Sequence, residues 1–225
     1  YGIPLQFGDM KYVTDENGWI RRRGEIFFEF DAYGRITRCW QKSVLNIRYG
    51  YDDQSRLIWR EVDGGYPQRF FYANPNFPRR LTHFTTSPSD GIFAIIYDDR
   101  DLPIVLENAG RRYAVVTDSD RSVRYIFASN SKLQKEIIRD PTGRVVLNSD
   151  ISFFFPLGYL SEFEDPLAEI AIIGKEARPL DLYMGRFMTT SISFIKPSVN
   201  VFLPEYEADP YRLNRLYTVE VPLRI

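Results

Sequence analysis

Short alternating runs broken by turn residues dominate the chain. Ile26, Phe28 and Phe30 share one face of an extended segment, with Phe27, Glu29 and Asp31 on the other. That period of two predicts a half-buried strand. The runs 92–97 and 151–155 are strand-like by length and by their branched and aromatic residues. Ser122, Arg124 and Phe127 do not alternate cleanly, so the pattern leaves strand registers open there. Helix is expected only over 166–174 and 209–216.

The turns between these runs repeat one grammar. It reads Thr14-Asp15-Glu16-Asn17-Gly18, Phe30-Asp31-Ala32-Tyr33-Gly34, Tyr51-Asp52-Asp53-Gln54-Ser55, Tyr97-Asp98-Asp99-Arg100-Asp101, Thr117-Asp118-Ser119-Asp120-Arg121 and Arg139-Asp140-Pro141-Thr142-Gly143. Steps between the leading aspartates are 16, 21, 46, 20 and 22 residues. The long step holds a degenerate copy at Tyr72-Ala73-Asn74-Pro75-Asn76. The aspartate accepts hydrogen bonds from the turn backbone. Gly18, Gly34 and Gly143 take the left-handed conformation that closes a tight hairpin. Hairpins of roughly 20 residues in series make one quasi-one-dimensional sheet. Such a sheet must close or coil to hide its edges, so the predicted fold is all-β, part of a spiralling barrel.

Composition sharpens this picture in three places. Aromatics make up 16% of 225 residues, with 14 Gly and 14 Pro, which favours strands over long helices. The formal net charge of −1 offers no field for nucleic acid, and the runs 21–23, 79–80 and 111–112 read as solvated strand ends. Cys39 is the single cysteine, so no internal disulfide forms, and it reads as a small buried strand residue. No apolar run approaches the ~20 residues of a membrane span. The start at Tyr1 and the end at Ile225 within a strand-like pattern are those expected of a fragment.

Candidate chemistry is sparse. His83, the only histidine, occupies a strand-like position. Glu162-Phe163-Glu164-Asp165 clusters acids, but without the turn glycine of a calcium loop; it reads as a charged loop. A glycosidase pair is a matter of distance in space, and no motif supports a carbohydrate-binding reading. No Gly-rich phosphate loop or dinucleotide fingerprint occurs. No cofactor, metal or catalytic residue is expected, and the ligand-binding residues stay unassigned.

The turn grammar resembles the YD repeat. The stretch 178–187, Arg-Pro-Leu-Asp-Leu-Tyr-Met-Gly-Arg-Phe, resembles the RHS-associated core signature, with Arg178, Asp181, Gly185, Arg186 and Phe187 on the motif, Leu180 in place of its Tyr and Glu176 in place of its first Gly. Segments 8–18 and 70–83 resemble the closing part of teneurin YD shells, in a divergent, invertebrate form. The resemblance implies residues 1–190 as a YD-repeat shell ending in the core, and 191–225 as a linker threading inside it. It further implies a type II single-pass membrane protein acting at the cell surface in adhesion and signalling. Its partners would be the rest of its own barrel, a latrophilin-type receptor or another teneurin, with a dimeric parent. The alternative is a bacterial RHS-type toxin-encapsulating shell that cuts itself with two aspartates. Asp165-Pro166 matches the first, whereas the second falls at about Ser191.

Overall fold

The computed structural model describes residues 6–191; the tail expected as an internal linker, with its helix at 209–216, lies outside them. Fifteen strands form one antiparallel meander in sequence order. Its first part comprises β1 (Gln6–Phe7), β2 (Met10–Thr14), β3 (Ile20–Arg23), β4 (Ile26–Phe30), β5 (Ile36–Gln41), β6 (Leu45–Tyr51) and β7 (Leu57–Val62). The middle holds β8 (Gln68–Phe71), β9 (His83–Thr85), β10 (Phe93–Tyr97) and β11 (Pro103–Asn108). The sheet ends with β12 (Arg111–Thr117), β13 (Val123–Ala128), β14 (Leu133–Arg139) and β15 (Val145–Asn148). A second sheet contains β16 (Phe163–Asp165), β17 (Ile170–Ile173), β18 (Arg178–Asp181) and β19 (Arg186–Phe187).

One turn geometry recurs six times. In each, the leading aspartate's N–H donates to the carbonyl four residues on, and its own carbonyl accepts from the N–H three residues on. Its Oδ1 accepts from the backbone as well: Asp31 takes the N–H of Tyr33 at 2.9 Å and of Arg35 at 3.0 Å, and Asp98 those of Arg100 at 3.0 Å and Leu102 at 2.8 Å. The fourth residue is always left-handed. Glycine fills it three times, while Ser55, Asp101 and Arg121 hold it at φ of 60°, 67° and 74°. The bracketing hydrogen bonds offset the steric cost that any side chain meets there. A register shift sits beside every one of the six, between Glu29 and Phe30 for instance, and such bulges add local twist. At the degenerate copy Asn74 substitutes for aspartate, its Oδ1 accepting from the Asn76 N–H at 3.0 Å.

Neighbouring turns are stitched together. The guanidinium of Arg21 lies over Phe30 at 5.2 Å, Arg35 over Tyr51 at 4.8 Å, Arg56 over Tyr72 at 5.1 Å and Arg80 over Tyr97 at 4.9 Å. Each arginine follows one turn and each aromatic precedes the next, so cation–π contacts run along the turn edge. Tyr72 and Tyr97 also donate their hydroxyls to the Leu57 and Leu81 carbonyls, at 2.8 and 2.7 Å.

After β15 the chain returns across the sheet's inner face. Phe28, Cys39, Ile47, Phe84, Leu106 and Ile126 are buried on that face, in one core with Phe155, Phe163 and Ile170. The expected strand at 151–155 does not form. Phe153, Phe154 and Phe155 instead lay their rings on Tyr113 and Phe84, at 5.2 to 6.3 Å between centroids, so the segment covers the sheet without pairing in it. The expected helix at 166–174 is also corrected: Ile170–Ile173 is β17, buried on both faces. A short, continuous branched run suits a covered strand as well as a helix.

Replacing Asp31 with Ala leaves two turn N–H groups without an acceptor and should cost about 1–3 kcal/mol. Urea unfolding checks this, with a lower midpoint expected at an unchanged slope.

Candidate functional site

The seam between the long sheet and the returning chain concentrates the charged groups that sequence alone leaves scattered. Asp165 pairs with Ile170 across β16 and β17, and Ile170 pairs with Asp181 across β17 and β18. Directly opposed residues share a face, so both carboxylates point at the long sheet, two strand spacings or ~10 Å apart.

Each carboxylate meets an arginine that rises from the sheet. Asp165 receives Arg60 through Nε at 2.5 Å and a terminal nitrogen at 2.8 Å, and the Tyr49 hydroxyl at 2.7 Å. Tyr49 and Arg60 are opposed on β6 and β7, which places both donors under the acid. Asp181 receives Arg23 at 3.1 Å, and Arg23 also donates to the Ala168 carbonyl at 2.7 Å and pairs with Glu169 at 3.3 Å. Both aspartates cap a turn of their own chain: Asp165 takes the N–H of Leu167, and Asp181 those of Tyr183 and Met184.

Burial opposes ionisation at both acids, with different outcomes. At Asp165 the Arg60 charge and the Arg60 and Tyr49 hydrogen bonds prevail and hold the carboxyl below the usual carboxylate range. At Asp181 burial prevails over Arg23 and pushes the carboxyl up. A third pair, Arg139 with Glu164 at 2.8 Å, closes the seam near β14. Lys135 completes it by donating to the carbonyls of Asp150 and Phe153, both at 2.8 Å; burial lowers its pKa to about 8.

Two readings from sequence are corrected here. Arg23 is no solvated strand end, because its side chain is wholly buried against Asp181. The stretch 162–165 is no charged loop: Phe163–Asp165 is buried strand β16. In both cases the partner lies more than a hundred residues away in sequence, beyond the reach of local patterning. Alternation left no trace of these partners: Arg60 lies three residues from buried Leu57, and only the register shift beside Tyr51 brings both to the inner face.

The core-motif residues cluster at the other end of the seam. Arg178 lies 3.9 Å over the Phe187 ring and donates to the Thr189 carbonyl at 2.8 Å. Gly185, at φ 67°, closes the turn capped by Asp181, and Arg186 stands opposite Asp181 in β19. Ser191 donates to Glu176 at 2.6 Å. Of the repeat aspartates, Asp52 is lowered by its Arg56 and backbone hydrogen bonds in spite of partial burial, whereas burial and the adjacent Asp120 raise Asp118 to about 6. His83 lies half-buried in β9 with Nδ1 3.0 Å from Thr82 Oγ1. Cys39 is buried, and burial pushes its thiol up to about 12. Among the described residues, no group of three or more His, Cys, Asp or Glu is placed to hold a metal ion.

Beside the seam lies a cavity of about 510 Å³, lined among others by Arg56, Tyr72, Arg80, Tyr97, Glu162 and Glu176. Burial raises Glu162 from 4.5 to about 7, against the Gly174 N–H and the charges of Arg121 and Arg79.

Removing Arg60 strands the buried Asp165 charge. Arg60→Met should therefore cost about 3–5 kcal/mol in denaturant unfolding, with part recovered on adding Asp165→Asn. A carboxyl raised on folding stabilises fully below its unfolded value and loses that contribution as pH rises through the folded value. The melting temperature should thus carry a component that falls between pH 4.5 and about 7, and Glu162→Gln should remove it.

Comparison with known proteins places this architecture. The family model for the teneurin YD-shell matches residues 1–222. Teneurin-m of Drosophila melanogaster is 30% identical over 218 residues, and Teneurin-1 of Caenorhabditis elegans 28% over 228. The matches cover 94% and 96% of this chain and 8% of each relative, so the chain spans under a tenth of their length. Among solved structures, the TcdB2-TccC3-Cdc42 crystal structure is similar in fold, with a TM-score of 0.62 at 12% identity over 88% of this chain and 10% of that one. TcdB2-TccC3 is similar at 0.61, again at 12% identity, over 88% of this chain and 11% of that one. With its six-fold turn grammar, its long meander and its returning second sheet, the chain belongs to the teneurin YD-shell family.

Proposed function

We propose that this chain is a structural and adhesive part of a cell-surface receptor ectodomain, acting by the surface it presents. The observation that carries the reading is the commitment of Asp165, Asp181, Arg23 and Arg60 to one another inside the seam, which leaves the outer face of the long sheet available for contact. The parent is a dimeric, single-pass type II membrane protein, with this segment extracellular. The shell supports cell–cell adhesion and signalling through a latrophilin-type receptor or a second teneurin. No helix among the described residues is long and apolar enough to cross a membrane. The core motif of Arg178, Asp181, Gly185, Arg186 and Phe187 seats the returning chain, and residues 191–225 continue as the linker.

The shell acts without catalysis. Self-cleavage by two aspartates requires carboxylates close enough to share a proton. Asp165 and Asp181 stand two strand spacings apart with an arginine each, and position 191 holds a serine that donates to Glu176.

Surface plasmon resonance of the complete ectodomain, against a latrophilin lectin-domain fragment and against itself, tests the adhesion reading; saturable binding to one of them is expected, and binding to neither contradicts it. The same protein should run as one uncut band on a denaturing gel. A discrete cut after the 188–189 region would favour the self-cleaving shell.

A further inference from the structure

The outer face of the long sheet divides into two chemically different halves. Over β4 to β7 its opposed residues are Glu29, Arg38, Arg48 and Glu61, a charged row with two arginines between two glutamates. Over β10 to β14 the corresponding row is Ile96, Val105, Ala114, Phe127 and Leu133, each paired with the next across five strands. Ile96, Ala114 and Leu133 are exposed. At the ~4.8 Å spacing of strands the row runs ~19 Å between its outer members. Ile104 and Val116, 40% and 42% exposed, widen it.

The row has a depression at its centre. Ala114 is its smallest member, set between Val105 and Phe127, and a groove of about 430 Å³ is lined by these three together with Arg112, Tyr113 and Ser131. Arg111, Arg112, Arg124 and Lys132 are exposed on the strands and turns that flank it, against half-buried Glu107 and Glu136, and Arg112 forms an ion pair with Glu107 at 2.8 Å. The rim is therefore cationic. An apolar patch of a few hundred Å² with a polar rim has the anatomy of an interface core.

The geometry points to this half of the outer face as the adhesive contact. Its occupant is a heterophilic protein partner that presents an apolar side chain to the groove over Ala114 and an acidic rim to Arg111, Arg112, Arg124 and Lys132. A second copy of the same patch is disfavoured, because two-fold pairing sets like charges against each other. This inference rests on the adhesion reading above and names the surface that performs it.

The test uses the complete ectodomain and, as probe, the latrophilin lectin-domain fragment, with the ectodomain itself as second analyte. Ala114→Arg fills the groove with charge, and Lys132→Glu reverses the rim at an exposed side chain in the turn between β13 and β14, so the second variant leaves the core and the Arg112–Glu107 pair in place. Each should weaken probe binding by about tenfold or more, while Arg48→Glu on the charged half leaves it unchanged. Wild-type binding that neither variant alters overturns the surface assignment and leaves adhesion standing. Binding only to a second copy, weakened by Ala114→Arg, overturns the heterophilic partner. No wild-type binding to either analyte removes the adhesion reading, and this inference with it.

Discussion

A single sheet of fifteen strands has an apolar inner face that its own hairpins cannot cover, and every other feature of the chain answers to that constraint. Local hairpin pairing satisfies the backbone but leaves Phe28, Ile47, Phe84, Leu106 and Ile126 facing inward. The chain supplies the cover by returning over the sheet after β15. Covering it has an electrostatic consequence. The returning segment folds into tight turns capped by Asp165 and Asp181, and these caps become buried charges. A buried carboxylate without a partner is costly, and Arg60 and Arg23 rise from the sheet to meet them. The ion pairs fix where the cover sits more than they add to stability, since a well-formed buried pair roughly breaks even with an apolar one.

How much of this could be read in the chain depends on the range of each interaction. The repeat turns were legible because the aspartate and the N–H groups it binds lie two and four residues apart, and even the degenerate copy kept its function with Asn74. The face of β4 and the burial of Cys39 followed from alternation and residue type. The seam was not legible. Arg23 lies 158 residues from Asp181, and Arg60 lies 105 from Asp165, so a run of acids at 162–165 looked like a hydrated loop. The branched run 170–173 suits a helix as well as a strand, and in the fold Asp165 caps the turn that leads into it as strand β17. The aromatic run 151–155 misled for the opposite reason, because its side chains suit a strand while its place in the fold gives it no neighbour to pair with.

Inside and outside divide the labour. The inner face holds the cover through rings, ion pairs and the Lys135 contacts to two carbonyls, while arginine–aromatic contacts hold the turn edge in line. The outer face is free of these duties. Its two halves differ in chemistry, one charged and one apolar.

Hydrogen exchange followed by mass spectrometry tests most directly whether sheet and cover form one cooperative unit. Amides of 163–181 are expected to be protected as strongly as those of β6 and β7, and both sets to be released together by global opening. Rapid exchange of 163–181 while β6 and β7 stay protected would contradict the account, since the cover would then be an appendage and the sheet stable without it.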